Sequence, residues 1–321
     1  MKYYAAPLEG ITGYPFRNAV QKFFPGADRY FSPFLVANQT LTFKKKEQRD
    51  VAPANNRTLT LIPQILTNRP EQLVWAAEQL YDLGYPEINL NLGCPSGTVT
   101  ARHKGAGMLE DPDGLDRFFA QVFELLRQKK EKEGKSPVLS VKTRIGVREP
   151  AEADRLIAVY NRYPLAEVTV HPRVQKEMYQ GKPHLEIFAR FYADCVHPLV
   201  YNGDVNTVAD CRRIEAQFPA VRAVMIGRGM VADPAVFRRL RGGEPMKPEE
   251  LKQFLDCLMN DYAAEMSGDL QVMCKMKEIW GYLGSRFPDS GKYIRKIRKA
   301  RTIAEYEGAL GDLFLHCRML A

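Results

Sequence analysis

The sequence predicts a (β/α)8 TIM barrel, an α/β fold, over residues 1–243, followed by a small all-α helical domain over 244–321. Three observations carry that expectation. Eight short apolar segments of strand period alternate with helical patterns over roughly 240 residues, close to the length such a barrel occupies. Polar residues recur at the C-terminal ends of those strands, where barrels of this kind place their chemistry. The period then changes after Arg241-Gly242-Gly243-Glu244-Pro245, and no strand pattern follows.

The first strand, read at Tyr3–Ala6, runs into the turn Pro7-Leu8-Glu9-Gly10-Ile11-Thr12-Gly13. An open doubly wound sheet is the rival for such an alternation, and a G-x-G-x-x-G at this turn would favour it. The glycines here are spaced differently, so the barrel is preferred. Further strands are read at Arg29–Phe31, Leu59–Gln64, Glu87–Leu92, Val138–Arg144, Glu167–His171, Leu199–Asn202 and Ala223–Ile226. After the third, Asn68 is read as a helix cap, with Pro70 in the first turn and Glu71 three residues on. Leu73, Ala76, Ala77 and Leu80 give that helix its stripe, and Gly84 stops it. After the fourth, Asp111 and Pro112 open a helix whose apolar positions are Leu115, Phe118, Phe119, Val122 and Leu126. Beyond the barrel, helices are expected over Pro248–Glu265 and Leu270–Phe287, around Tyr293, Ile294 and Ile297, and from Ile303 to Cys317.

Of the 321 residues, 45% are hydrophobic and 26% charged, the balance of a globular chain. No apolar run approaches the roughly 18 residues a membrane helix needs. The start shows no signal-peptide pattern, so a cytoplasmic location is expected. None of the six cysteines pair as C-x-x-C, and the five histidines form no ligand-spaced cluster, so no metal site is expected. The net charge of +8 suits a polyanion such as nucleic acid, although many metabolic enzymes are also basic.

The stretch Glu87-Ile88-Asn89-Leu90-Asn91-Leu92-Gly93-Cys94-Pro95-Ser96 begins with strand alternation and ends in a bent loop, so Cys94 sits where a strand stops. Gln64, Lys142, Arg144, His171, Asn202-Gly203-Asp204 and Gly227-Arg228-Gly229 fall at other strand ends. Singly each has a structural reading: a loop cap, an ion pair, a satisfied core histidine. Their recurrence at matching ends favours one shared mouth. Loops after strands seven and eight commonly bind phosphate in this fold. Their glycines let backbone approach an anion, and Arg228 can pair with it.

In these motifs the chain resembles the bacterial FMN-dependent tRNA-dihydrouridine synthases. The match is most specific at Asn91-Leu92-Gly93-Cys94-Pro95-Ser96 and continues through Lys104-Gly105-Ala106-Gly107, Val141-Lys142-Thr143-Arg144, Asn202-Gly203-Asp204-Val205 and Met225-Ile226-Gly227-Arg228-Gly229. Leu8 replaces a methionine of the family's A-P-M-x-G, and His171-Pro172-Arg173-Val174 stands where the family has H-G-R-T. The resemblance implies an FMN site made by Pro7, Leu8, Glu9, Gln64, Lys142, His171, Asn202, Gly203, Asp204, Gly227 and Arg228. It implies Asn91, Arg144 and Arg173 on the substrate side, with Cys94 as the acid. It further implies that NADPH reduces the flavin, that N5 gives hydride to C6 of a D-loop uracil, and that Cys94 protonates C5. The tail's basic residues, among them Lys275, Lys277, Arg295 and Arg298, would then meet tRNA phosphates. No obligate protein partner is expected. Three rivals remain at this point: another FMN barrel reducing a small molecule, a Schiff-base aldolase using Lys142, and a non-catalytic RNA-binding protein.

Overall fold

The computed structural model describes residues 1–37, 40–135 and 137–320, so Ala321, the end of the expected helical domain, lies outside the described residues. The chain opens with β1 (Lys2–Ala5), α1 (Tyr14–Phe23), β2 (Arg29–Phe31) and α2 (Lys45–Asp50). Then come β3 (Leu61–Ile62), β4 (Gln64–Ile65), α3 (Pro70–Asp82), β5 (Glu87–Leu92), α4 (Gly97–Thr100) and α5 (Pro112–Glu133). The barrel continues with β6 (Val138–Arg144), α6 (Ala153–Tyr160), β7 (Val168–His171), α7 (Leu185–Asp194), β8 (Leu199–Asn202), α8 (Val208–Gln217), β9 (Ala223–Ile226), α9 (Arg228–Ala232) and α10 (Val236–Leu240). Four helices follow: α11 (Pro248–Glu265), α12 (Asp269–Leu283), α13 (Gly291–Lys299) and α14 (Ile303–His316).

The strands form one sheet in the order β3-β2-β1-β9-β8-β7-β6-β5-β4. Every pairing is parallel, so all strand C-termini meet at one end. The third expected strand is two strands, because Pro63 has no N–H and cannot donate to a ladder. Its first half pairs with β2 and its second with β5, so the cylinder closes around Pro63, whose carbonyl accepts the Asn89 N–H at 2.9 Å, and through a parallel bridge from Leu35, after β2, to Ile65 of β4.

Side-chain alternation sorts the barrel into layers. Tyr4, Ala6, Phe31, Ile62, Val200, Ala223 and Met225 form a small inner cluster, separate from the large core under the helices that takes Tyr3, Ala5, Tyr30 and Val224. On the opposite wall the inward positions are polar. The register sets Gln64 beside Asn89, Asn91 beside Lys142, and Lys142 beside Thr169. Half of the interior is therefore packed with carbon, and half is lined with hydrogen-bonding groups.

Helix ends explain one agreement and one correction. Asp111 caps α5 as read, accepting from the Gly114 N–H at 2.9 Å, and Gly134 closes it at a φ of 70°. Asn68 does not cap α3. Pro70 at the first helical position makes Arg69 the N-cap, Thr67 Oγ1 takes the Arg69 N–H at 3.1 Å, and Asn68 turns to the Arg102 carbonyl instead.

The helical segment is packed against the barrel rather than tethered to it. Phe254 of α11 sits among Phe16, Phe23 and Phe24, with ring centroids at 5.9, 6.3 and 5.5 Å. Lys275 of α12 reaches the Gly10 carbonyl at 2.5 Å. Within the segment, Trp280 donates to the Tyr306 hydroxyl at 2.9 Å, which holds α12 to α14.

Candidate active site

At the C-terminal end of the strands lies a cleft of about 880 Å³, open to solvent. All eleven residues expected at a flavin line it: Pro7, Leu8, Glu9, Gln64, Lys142, His171, Asn202, Gly203, Asp204, Gly227 and Arg228. Asn91, Cys94 and Arg144 line it too.

Cys94 is positioned by a chain of buried amides. Asn91 Oδ1 accepts from the backbone N–H of Gly93 at 3.0 Å and of Cys94 at 2.9 Å. Asn91 Nδ2 donates to Gln64 Oε1 at 2.7 Å, Gln64 Nε2 to Asn89 Oδ1 at 2.8 Å, and Asn89 Nδ2 to Ser140 Oγ at 3.0 Å. Asn91 was expected to approach a substrate base; here its amide fastens the cysteine loop. Behind that loop the Ala106 N–H meets the Cys94 carbonyl at 3.0 Å. Burial raises the Cys94 pKa, opposed by a Ser96 backbone N–H and by the charges of Lys142 and Arg144. The thiol therefore keeps its proton at neutral pH.

Arg144 and Arg173, expected on the substrate side, both hold loop carbonyls. Arg144 is buried, and its guanidinium donates to the carbonyls of Gly93 at 3.0 Å, Val174 at 2.9 Å and Met178 at 2.6 Å. It ties the cysteine loop to the loop after β7, and burial draws its pKa down to about 10, so it stays cationic. Arg173 is wholly buried and lies outside the cleft lining. It grips Asp204 through both terminal nitrogens and donates to the carbonyls of Gln180 at 3.0 Å and Gly181 at 2.6 Å. The physical reason is shared: a guanidinium with five donors satisfies several loop carbonyls at once.

The cleft is electropositive. Lys142 is half-buried in its wall and makes no hydrogen bond or ion pair among the described residues. Burial, reinforced by Arg144, lowers its pKa to about 8. His171 is held neutral, its pKa pushed well below 6.5 by burial and then by Arg144, Lys142, Arg173 and Arg228. Its Nε2 lies 3.2 Å from Arg173 Nη1, a donor, so the ring proton belongs on Nδ1. Asp204, at a φ of 45°, also accepts from Arg228 Nη2 at 2.6 Å. No other polar contact of Arg228's side chain occurs among the described residues. A Cβ on Gly229 would stand 2.3 Å from the Val205 carbonyl, so only glycine lets the loops after β8 and β9 close together here.

Sequence reading assigned no role to Tyr179, Phe34 or Met225, which also line the cleft. Tyr179 is half exposed and lies under two guanidiniums, with Arg144 Cζ 5.4 Å and Arg228 Cζ 5.1 Å from its ring centroid. Its only sequence signal was an aromatic in the loop after a barrel strand. The remaining expected residues stand apart from the cleft. Lys275 bonds Gly10 and Glu278, Lys277 is half-buried on α12, and Arg295 and Arg298 are exposed on α13.

Comparison with known proteins agrees with this geometry. A family model described as dihydrouridine synthase matches residues 4–310. A tRNA-dihydrouridine(16) synthase of Ralstonia nicotianae is 28% identical over 316 residues, covering 95% of this chain and 94% of its own. Another, from Cupriavidus necator, is 29% identical over 322 residues, covering 97% and 96%. Among solved structures, a variant of NCR from Zymomonas mobilis aligns with a TM-score of 0.53 at 14% identity, over 79% of this chain and 90% of that one. Morphinone reductase aligns with a TM-score of 0.52 at 13% identity, over 78% and 88%. These two share the barrel fold.

Proposed function

We propose, on the premise that the chain belongs to the dihydrouridine synthase family, that it reduces the C5–C6 double bond of a D-loop uridine in tRNA, with FMN in the cleft and NADPH as reductant. The carrying observation is the convergence of a protonated thiol, Cys94, with an unpaired lysine and a second cation in one cleft. The relatives are named for position 16, and that is the uridine we assign. The barrel, residues 1–243, would carry the chemistry, and residues 244–321 would grip the tRNA. Such a substrate places the protein in the cytoplasm.

The residues present fit the cofactor. A cation with no protein partner suits the anionic edge of a reduced flavin, and Arg228 beside Gly227 and Gly203 suits a phosphate. Gln64, Lys142 and His171 would hold the ring's polar edge, Pro7 and Leu8 its apolar face, and Asn202, Gly203, Asp204, Gly227 and Arg228 the ribityl chain and phosphate. When bound and reduced, FMN supplies the hydride that adds to C6 of uracil.

The chain's own residues do the rest. The target base leaves its stack to enter the cleft, because chemistry on a base demands access to its atoms. Cys94 gives its proton to C5. The thiolate left behind is favoured by the Ser96 N–H, Lys142 and Arg144, and water returns the proton. Asn91 and Arg144 keep the sulfur in place by holding the Gly93–Cys94 peptide, Asn91 at its N–H and Arg144 at its carbonyl. Cys94→Ala is expected to slow dihydrouridine formation by about 10²–10⁴-fold. Flavin bands in the visible spectrum and NADPH oxidation by a general acceptor should persist. Undiminished dihydrouridine formation would remove Cys94 as the acid.

A further inference from the structure

The amides behind Cys94 form a chain whose direction is dictated from both ends. At one end the backbone N–H groups of Gly93 and Cys94 can only donate, so the Asn91 atom that meets them is its oxygen. Asn91 Nδ2 then faces Gln64 Oε1, Gln64 Nε2 faces Asn89 Oδ1, and Asn89 Nδ2 faces Ser140 Oγ. At the other end the Ser140 hydroxyl gives its proton to the Ile88 carbonyl at 3.3 Å and accepts from Asn89. Reversed, the chain would set Asn91 Nδ2 against two N–H groups, donor against donor. The three amides therefore turn together or not at all.

We propose that Asn89, which lines no part of the cleft, is a positioning residue for the reaction: it fixes the amide of Gln64 and, through Gln64 and Asn91, the backbone that carries the Cys94 thiol. The inference rests on the reading of the cleft given above. Gln64, Asn89 and Ser140 lie side by side on β4, β5 and β6, and all three are wholly buried. Gln64 and Asn91 line the cleft, whereas Asn89 and Ser140 do not. Asn89 therefore acts only through its neighbours.

For Gln64, Asn89 decides which amide atom points where. A primary amide has two N–H groups and an oxygen with two lone pairs. Among the described residues, Gln64 uses one N–H on Asn89 and one lone pair on Asn91. The remaining N–H and lone pair are what Gln64 offers a ligand, in places that Asn89 sets. Without the Asn89 oxygen the Gln64 amide is free to rotate, and Asn91 loses the acceptor that holds it against the Cys94 N–H. Packing alone does not call for amides here. The facing half of the barrel interior is filled by Tyr4, Phe31, Ile62, Val200 and Met225. A buried network with every member satisfied holds one arrangement, and removing one member leaves its partners unpaired.

The test compares Asn89→Leu, close in size and unable to hydrogen-bond, with Asn89→Asp. The aspartate still accepts from Gln64 Nε2, and the Ser140 hydroxyl can turn to donate to its second oxygen, so the chain keeps its direction. In the flavin-free protein, alkylation of Cys94 by iodoacetamide is followed by peptide mass, and FMN affinity by fluorescence titration. Asn89→Leu should alkylate about threefold faster or more and bind FMN about tenfold more weakly, the scale of one buried hydrogen bond. Asn89→Asp should restore both to within about twofold of the wild type. With FMN and tRNA saturating, Asn89→Leu should lower kcat for dihydrouridine formation about tenfold or more and leave KM for tRNA within about twofold. Alkylation at the wild-type rate in Asn89→Leu overturns the inference, and so does an Asn89→Asp that behaves like Asn89→Leu. If Asn89→Leu does not fold, Ser140→Ala removes only the acceptor of Asn89 Nδ2 and should alkylate about twofold faster or more; the wild-type rate there overturns the inference instead. A wild type that binds no FMN refutes the reading of the cleft, and the alkylation rates then decide alone whether Asn89 positions the Cys94 loop.

Discussion

Lys142 shows at the scale of one residue how a site opposes stability. Burial and Arg144 bring its pKa from 10.5 to about 8. Below about pH 8 both folded and unfolded chains hold the proton, and the folded state carries the full cost of the buried charge. Between about 8 and 10.5 the unfolded chain keeps a proton that the folded one releases, so stability from this residue rises with pH. Lys142→Met is therefore expected to stabilise the flavin-free protein at pH 7, by roughly 1 kcal/mol or more, and to weaken flavin binding at least tenfold. Thermal unfolding across pH checks the first part, since the variant's advantage should shrink above pH 8. Fluorescence titration with FMN checks the second. The lysine's presence at a strand end was readable from sequence, but its lack of a partner was not. That depends on what β5 and β7 put beside it.

Among elements, loops carry the chemistry and side chains at the strand ends fix the loops. The loop after β5 owes its shape to Asn91 and Arg144, two side chains read from sequence as substrate contacts. Strand-end position identified them, yet hydrogen-bond direction is decided by which carbonyls and amides arrive from other loops. The helical caps divide in the same way. Asp111 was legible because Pro112 and Gly134 bracket one local pattern, whereas Asn68 lost its cap to a proline two residues on. The element that joins the two parts of the chain is α11, through Phe254. Phe254→Ala should cost about 3–5 kcal/mol, the range for removing a buried phenylalanine. Denaturant unfolding measures it. A loss below about 1 kcal/mol would mean that α11 contributes little to the barrel's stability.

Across the whole molecule, an electropositive mouth and one basic helix, α13, share a chain. The described residues contain no helix long and apolar enough to cross a membrane. On α13, Arg295 and Arg298 are exposed, and among the described residues the Arg295 side chain bonds only its own helix, at Gly291. If they meet tRNA phosphates, Arg295→Ala and Arg298→Ala should each weaken tRNA binding. Each should also flatten the slope of log affinity against log salt by about 1. Affinity measured from low to physiological salt checks this, and an unchanged slope would detach α13 from the RNA. Such a loss should fall alike on all tRNA sequences.

By itself the sequence determined the barrel, the helical tail, the cap of α5 and the residues at the strand ends. Those follow from periodicity, proline and glycine, which act within a few residues of one another. The tertiary structure alone decided that the third strand breaks at Pro63 to close the cylinder and that half the interior is polar. It also decided that Arg144 and Arg173 hold loops and that Lys142 stands in the cleft wall without a partner among the described residues. Each of these depends on groups brought together from distant parts of the chain. Pairing and burial are properties of such encounters, and no local pattern records them.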